Sequence, residues 1–185
     1  MPNILSEFLK DWRTTGTIAP SSRFLQQGMV APIRPLHPKT VVELGPGTGC
    51  ITTPLLNALE PKANLVAVEI NQRLASGLPP HPQLKVVCDS AANLPAILEQ
   101  LALGPADAVI SGLPFASLPA ALRDEIVQAS WQALRPGGVF VAFQYTPLVL
   151  PPLLRRHFGQ FKVRPVLINL PPALVYTAVR RESGA

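Results

Sequence analysis

The stretch Val41-Val42-Glu43-Leu44-Gly45-Pro46-Gly47-Thr48-Gly49 decides how the rest of the chain is read. An apolar run, TVVEL at residues 40–44, leads into a glycine-rich turn, and a helix is expected over about residues 48–59. Glycine has no Cβ and tolerates positive φ, so a turn of this composition brings backbone N–H groups close to a ligand. The spacing is E-x-G-x-G-x-G. The generic dinucleotide pattern G-x-G-x-x-G is not met, because Cys50 occupies its last position.

Short apolar runs alternate with amphipathic stretches on both sides of this turn. Strands are expected at NLVAVE (64–69), LKVVCD (84–89), ADAVIS (106–111) and GVFVAFQY (138–145). Between and after them, helices are expected following Asn71, in LPAILEQLA, in LPAALRDEIVQASWQAL and in LPPLLRRHF. Five strand and helix units in series predict an α/β fold, a doubly wound sheet covered on both faces. Two further strand-like runs, FKVRPVLINL and ALVYTAVRR, are separated only by Pro171 and Pro172, too short a link for a parallel crossover, so the last strand is expected to run antiparallel. Helical segments are expected in front of the sheet, at residues 3–12 and 22–30, with Ser21 or Ser22 capping the second.

The chain has 185 residues, 48% hydrophobic and only 15% charged, which excludes disorder and leaves room for one well-cored domain. Within it, residues 1–34 are read as an N-terminal amphipathic helix and lid, and residues 35–185 as the core. Its 22 prolines argue against a helical bundle. Charge is unevenly placed: +3 over residues 1–40, −3 over 41–150 and +5 over 151–185. Basic ends fit an anionic partner, either nucleic acid or membrane. Residues 136–154 carry no charge, but their prolines and glycines read as a buried strand, a turn and the start of a helix rather than a span. Cys50 and Cys88 lack metal-ligand spacing and are expected as buried small hydrophobes; no metal site is predicted. His37, His81 and His157 are assigned no role. No secretory signal is read at the N-terminus, so a cytoplasmic protein is expected.

Parallel α/β sheets bind ligands at the carboxyl ends of their strands. Glu69 ends the second strand, 20 residues after Gly49, where a carboxylate accepts hydrogen bonds from both hydroxyls of a ribose, with Ile70 beside it. Asp89 and Ser90 end the third strand. The fourth closes on Ser111-Gly112-Leu113-Pro114-Phe115, a tight turn.

Together these features resemble the class I S-adenosylmethionine-dependent methyltransferases, whose first motif passes under the methionine part of the cofactor. The resemblance implies sheet order 3-2-1-4-5-7-6 and cofactor contacts from Glu43, Gly45, Gly47, Gly49, Glu69, Ile70, Asp89, Ser90 and Ser111, with Asp89 facing the adenine amine. The Ser111 turn is similar to the Asn-Leu-Pro-Tyr type motif of amino methyltransferases, in which a turn carbonyl and an amide hold the target nitrogen. Here serine replaces the asparagine and Phe115 the aromatic, which keeps the turn but gives up the amide. Residues 8–12, Gly16-Thr17-Ile18-Ala19-Pro20-Ser21-Ser22-Arg23, the Ser111 turn and Asn169-Leu170-Pro171-Pro172-Ala173 are similar to the bacterial phospholipid N-methyltransferases over nearly the whole chain. That family implies stepwise methylation of phosphatidylethanolamine towards phosphatidylcholine by an enzyme peripherally associated with the inner face of the membrane. The alternatives are a ribosomal RNA adenine methyltransferase, whose further C-terminal helical domain this chain is not expected to carry, and a membrane-binding module without turnover.

In a helix, Ile4, Leu5, Phe8, Leu9 and Trp12 share one face, which either lies in lipid headgroups or packs on the core. Phe8, Trp12, Ile18, Ser21, Arg23 and Phe115 are the substrate and membrane candidates, Arg23 either reaching a lipid phosphate or standing exposed. The arginine pairs at 155–156 and 180–181 read as solvated charge. Methyl transfer from a sulfonium is an in-line displacement dominated by alignment and desolvation. Ser111, Gly112 and Leu113 are expected to hold the amine. Tyr145 is either its orienting group or a half-buried strand aromatic. Glu43 either balances the sulfonium or anchors the glycine loop.

Overall fold

The computed structural model describes residues 22–181. Strands β1 (Thr40–Leu44), β2 (Asn64–Val68), β3 (Leu84–Val87), β4 (Ala106–Ser111), β5 (Leu134–Gln144), β6 (Phe161–Val166) and β7 (Ala173–Val179) form one sheet. Its order is β3-β2-β1-β4-β5-β7-β6, with β7 antiparallel to both neighbours and the other pairs parallel. The helices are α1 (Arg23–Val30), α2 (Thr52–Leu56), α3 (Gln72–Ala75), α4 (Leu94–Gln100), α5 (Ala120–Ala133) and α6 (Leu150–Phe158).

Neighbouring residues on a strand face opposite sides of a sheet, and both sides here are covered. Val42, Val66, Val109, Phe140 and Ala142 pack with Leu94, Val127 and Leu154 of α4, α5 and α6. Val41, Leu65, Ile110 and Val141 pack with Leu25 and Met29 of α1 and Leu55 of α2. All five residues of β1 are buried, as expected for a central strand covered twice. Residues 22–33 are part of this packing: Ser22 Oγ accepts the Leu25 N–H at 3.3 Å as the N-cap of α1, while Leu25, Met29 and Ile33 are closed off from solvent.

Several sequence expectations need correction. The helix after the glycine turn is short, Thr52–Leu56, because Pro54 adds no N–H and the chain tightens after Leu56 into three-residue turns. Strand β5 starts at Leu134, not Gly138; a register shift between Ala106 and Ala108, with Gly137 at φ +76°, absorbs Pro136 and the glycine pair as a bulge. β6 stops at Val166, so six residues, 167–172, link it to β7 rather than two prolines. Cys88 is exposed and Cys50 half-buried; both are free thiols. The arginine pairs are not simply solvated: Arg155 and Arg180 lie 5.5 and 4.3 Å over the Phe161 and Trp131 rings, Arg156 lies 3.3 Å from Asp124, and the same Asp124 stands 2.8 Å from His157 Nε2, while His37 Nδ1 stands 2.8 Å from Glu60.

Candidate functional site

At the carboxyl edge of β1, Gly45, Gly47 and Gly49 adopt φ of +67°, +58° and +85°, the left-handed region that side chains disfavour. A Cβ on Gly45 would stand 2.6 Å from Leu113 Cδ2, and one on Gly112 would stand 2.9 Å from the Gly45 carbonyl oxygen. The glycine loop and the turn after β4 therefore interlock, and Gly112 N–H donates to Leu44 O at 2.8 Å. Around Gly47 no atom lies within 4 Å of such a Cβ, so at that position open space faces the cleft.

Glu69 grips two loops. Its Oε2 accepts the Gly47 N–H at 3.2 Å and its Oε1 the Asn71 N–H at 3.0 Å. A carboxylate oxygen accepts two hydrogen bonds, so each oxygen retains acceptor capacity for a ligand hydroxyl. Asp89 Oδ1 is held by Ser90 N at 2.6 Å and by Asn93 Nδ2 at 2.9 Å. Gly45, Gly47, Glu69, Ile70, Asp89, Ser90, Gly112 and Leu113 line one cleft, whose apolar wall is Leu118, Leu122 and Ile126. Glu43 is not in that lining. It is buried behind the loop, where Thr52 donates to its Oε2 at 2.7 Å. Burial, and then the nearby Glu69 charge, push its carboxyl up to about 7 against the Thr52 hydrogen bond. The partner of Glu43 is thus the first residue of α2, directly after the glycine loop.

The other predicted residues are placed differently. Ser111 is fully buried, its Oγ accepting Leu113 N–H at 3.3 Å, and Phe115 is buried in the core. Tyr145 follows β5 outside the cleft lining, half-exposed, with its ring edge-on to Phe143 at 5.6 Å. Burial raises its phenol above the ordinary value of 10.0, opposed by a hydrogen bond from Asn169. Arg23 is exposed, its guanidinium 5.5 Å over the Phe24 ring. Phe8, Trp12, Ile18 and Ser21 lie outside the described residues. Sequence reasoning missed three groups. Asn71 caps α3 through Arg73 and Leu74 N–H; Gln144 Nε2 donates to Leu113 O at 3.0 Å; and buried Asn169 accepts Ser22 N–H at 3.1 Å while donating to Pro171 O at 2.7 Å. A signal existed for Asn71, two residues beyond Glu69 at a helix start; the other two depend on distant parts of the chain.

The family model described as "Methyltransferase small domain" matches residues 14–165. The chain belongs to this methyltransferase family. It is 32% identical over 180 residues to the "Ornithine lipid N-methyltransferase" of Singulisphaera acidiphila, covering 93% of this chain and 92% of that protein. It is also 36% identical over 90 residues to "Ribosomal RNA small subunit methyltransferase A" of a Polaromonas species, but that match spans 48% of this chain and only 26% of the relative. Among solved structures, precorrin-6y C5,15-methyltransferase of Geobacter metallireducens superposes with TM-score 0.70 at 19% identity, over 90% of this chain and 93% of that one. The O-methyltransferase TomG of Streptomyces achromogenes, solved with S-adenosylmethionine, gives TM-score 0.68 at 18% identity, over 95% and 88%. These likenesses carry the fold: the class I S-adenosylmethionine-dependent methyltransferase sheet, in the order that the family resemblance implies.

Proposed function

We propose that this enzyme transfers methyl groups from S-adenosylmethionine to the primary amine of a membrane lipid, at the inner face of the membrane. The observation that carries this reading is the 32% identity to an ornithine lipid N-methyltransferase along nearly the full length of both chains. Phosphatidylethanolamine, with its mono- and dimethyl forms, is the acceptor that the sequence resemblance implies; ornithine lipid is the acceptor in the relative's name. Both present an amine on an amphiphile. The ribosomal RNA reading has support along less than half of this chain.

In this reading the donor half is formed by the glycine loop, Glu69 and Asp89. The methionine part crosses Gly45 and Gly47, the ribose hydroxyls use the free acceptor capacity of Glu69, and the adenine amine meets Asp89 next to Ser90. Supplied by the cofactor, the chemistry is a methyl on a sulfonium: the carbon–sulfur bond breaks as a carbon–nitrogen bond forms. The acceptor enters over Gly112 and Leu113. It must arrive as the neutral amine, because an ammonium has no lone pair, so a proton leaves to water before attack. The Tyr145 phenol, ordinarily titrating at 10.0 and raised further by burial, is protonated at neutral pH. Its role is therefore to orient the amine and to face the growing cation with its ring, not to act as a base.

Incubating the protein with radiolabelled S-adenosylmethionine, vesicles containing phosphatidylethanolamine or ornithine lipid, and total RNA tests the reading. Label in one or both lipids is expected. Label in RNA alone overturns it.

A further inference from the structure

Beyond the cleft, the carboxyl edge of the sheet carries a second surface. The six-residue link after β6 presents Leu167, Ile168 and Leu170 at 74%, 69% and 85% exposure, and the loop after β5 adds Leu148 at 78%. Large aliphatic side chains exposed together in neighbouring loops are unusual for a surface facing only water. The single polar residue between them, Asn169, is turned inward. It is buried, bonded to Ser22 N–H and Pro171 O, and within hydrogen-bonding reach of Tyr145, so it fixes the link in one shape and joins the two loops. This leaves the outer face of residues 167–170 wholly apolar. From Leu148 an open groove of about 420 Å³ runs back beside α6, walled by Pro147, Phe161 and Val163.

Charge distinguishes what covers this face. Residues 145–181 contain no Asp or Glu and six Lys or Arg. Arg23 follows Ser22, which Asn169 holds, and exposed Arg164 lies two residues before the end of β6. Apolar loops in a segment whose charged residues are all cations match an anionic bilayer, whose acyl region takes the aliphatic groups and whose headgroups meet the arginines.

We propose that the β6–β7 link and the loop after β5 form the surface that seats this enzyme on an anionic lipid bilayer. This rests on the lipid-amine reading above and is separate from the amphipathic pattern of residues 4–12. β6 runs parallel to β5, so the link lies on the same sheet edge as the cofactor cleft. It is four strands from β1, a span of about 19 Å at the usual strand spacing. Seating there puts the membrane beside the acceptor entrance.

The test is sedimentation of the full chain with vesicles of phosphatidylglycerol and phosphatidylethanolamine, and with vesicles of phosphatidylcholine alone. The triple variant Leu167→Ser/Ile168→Ser/Leu170→Ser should lose binding to the mixed vesicles by about thirtyfold. Arg23→Gln/Arg164→Gln should lose about tenfold on the mixed vesicles and nothing on phosphatidylcholine. Cofactor-product affinity by calorimetry, and methylation of dihexanoyl phosphatidylethanolamine below its micelle concentration, should be unchanged in the triple variant. Undiminished vesicle binding by that variant overturns the surface, as does a wild-type oligomer that it dissociates while vesicle binding persists. The substrate reading fails separately, if the wild-type protein methylates neither dispersed nor vesicular lipid.

Discussion

On the β1 side of the carboxyl edge, polar side chains hold the backbone of the next loop along: Glu69 reaches Gly47 and Asn71, and Asp89 reaches Ser90. On the β5 side Gln144 likewise reaches the loop after the adjacent strand, at a carbonyl 31 residues away against 22 for Glu69 and Gly47, whereas Asn169 takes an N–H 147 residues away. The first half is assembled from strand-end residues that hold their own or the adjacent strand's loop, and it is where the cofactor is proposed to bind. The second is tied by Asn169 to the start of α1, and it is where acceptor choice and membrane contact are proposed to lie.

The sharpest break in that division is Gly47→Val. It forces a β-branched residue to φ +58° and places a side chain in the cleft, with no neighbour within 4 Å to disturb the fold. Binding of S-adenosylhomocysteine should fall by about a thousandfold, out of calorimetric range, while the backbone strain lowers the melting temperature by only about 2–8 °C. Retained tight binding removes the glycine loop from the donor half.

Glu43 gives the next largest effect. Its carboxyl titrates near 7 in the folded protein against an ordinary 4.5, so the folded state holds a proton that the unfolded chain releases. Stability from this group is flat below about pH 4.5, declines as pH rises to about 7 and is flat again above, a total of about 3 kcal/mol. Urea unfolding across that range should show the decline in the wild type and lose it in Glu43→Gln.

Asp89→Ala should weaken cofactor-product binding by about thirtyfold through loss of one charge-assisted hydrogen bond, with calorimetry as the check. Smallest is Tyr145→Phe, which should lower turnover about tenfold and leave cofactor-product affinity intact, because Tyr145 stands outside the cleft lining. Equal loss of both in that variant moves Tyr145 from the acceptor half to the donor half.

Sequence legibility follows the same division. β1, β4 and α6 match the runs TVVEL, ADAVIS and LPPLLRRHF residue for residue, because central strands and a proline-led helix announce themselves through local composition. The reversed β7 followed from the short link alone. Glu69 and Asp89 were legible because a strand end next to a ligand cleft is a position that alternation and spacing locate. Gln144 and Asn169 were not, since nothing near them in sequence specifies a partner so far away. The bulge that starts β5 at Leu134 was hidden for a related reason. Arg135-Pro136-Gly137-Gly138 reads as a turn, and only pairing with β4 draws it into the strand. Cys88 was misjudged because β3 lies at the sheet edge, where its side chains are left in solvent.

The glycine loop and the turn after β4 touch without spare room: a methyl group on Gly112 would press on the Gly45 carbonyl oxygen, and one on Gly45 on the Leu113 side chain. Neither glycine can be enlarged without pushing the opposite loop aside, so the two loops share a single point of mechanical adjustment. Under the proposed function, a substitution that retunes the amine pocket through the turn after β4 would also shift the sulfonium, whereas leucine and arginine in the outer loops could change without moving the reacting line.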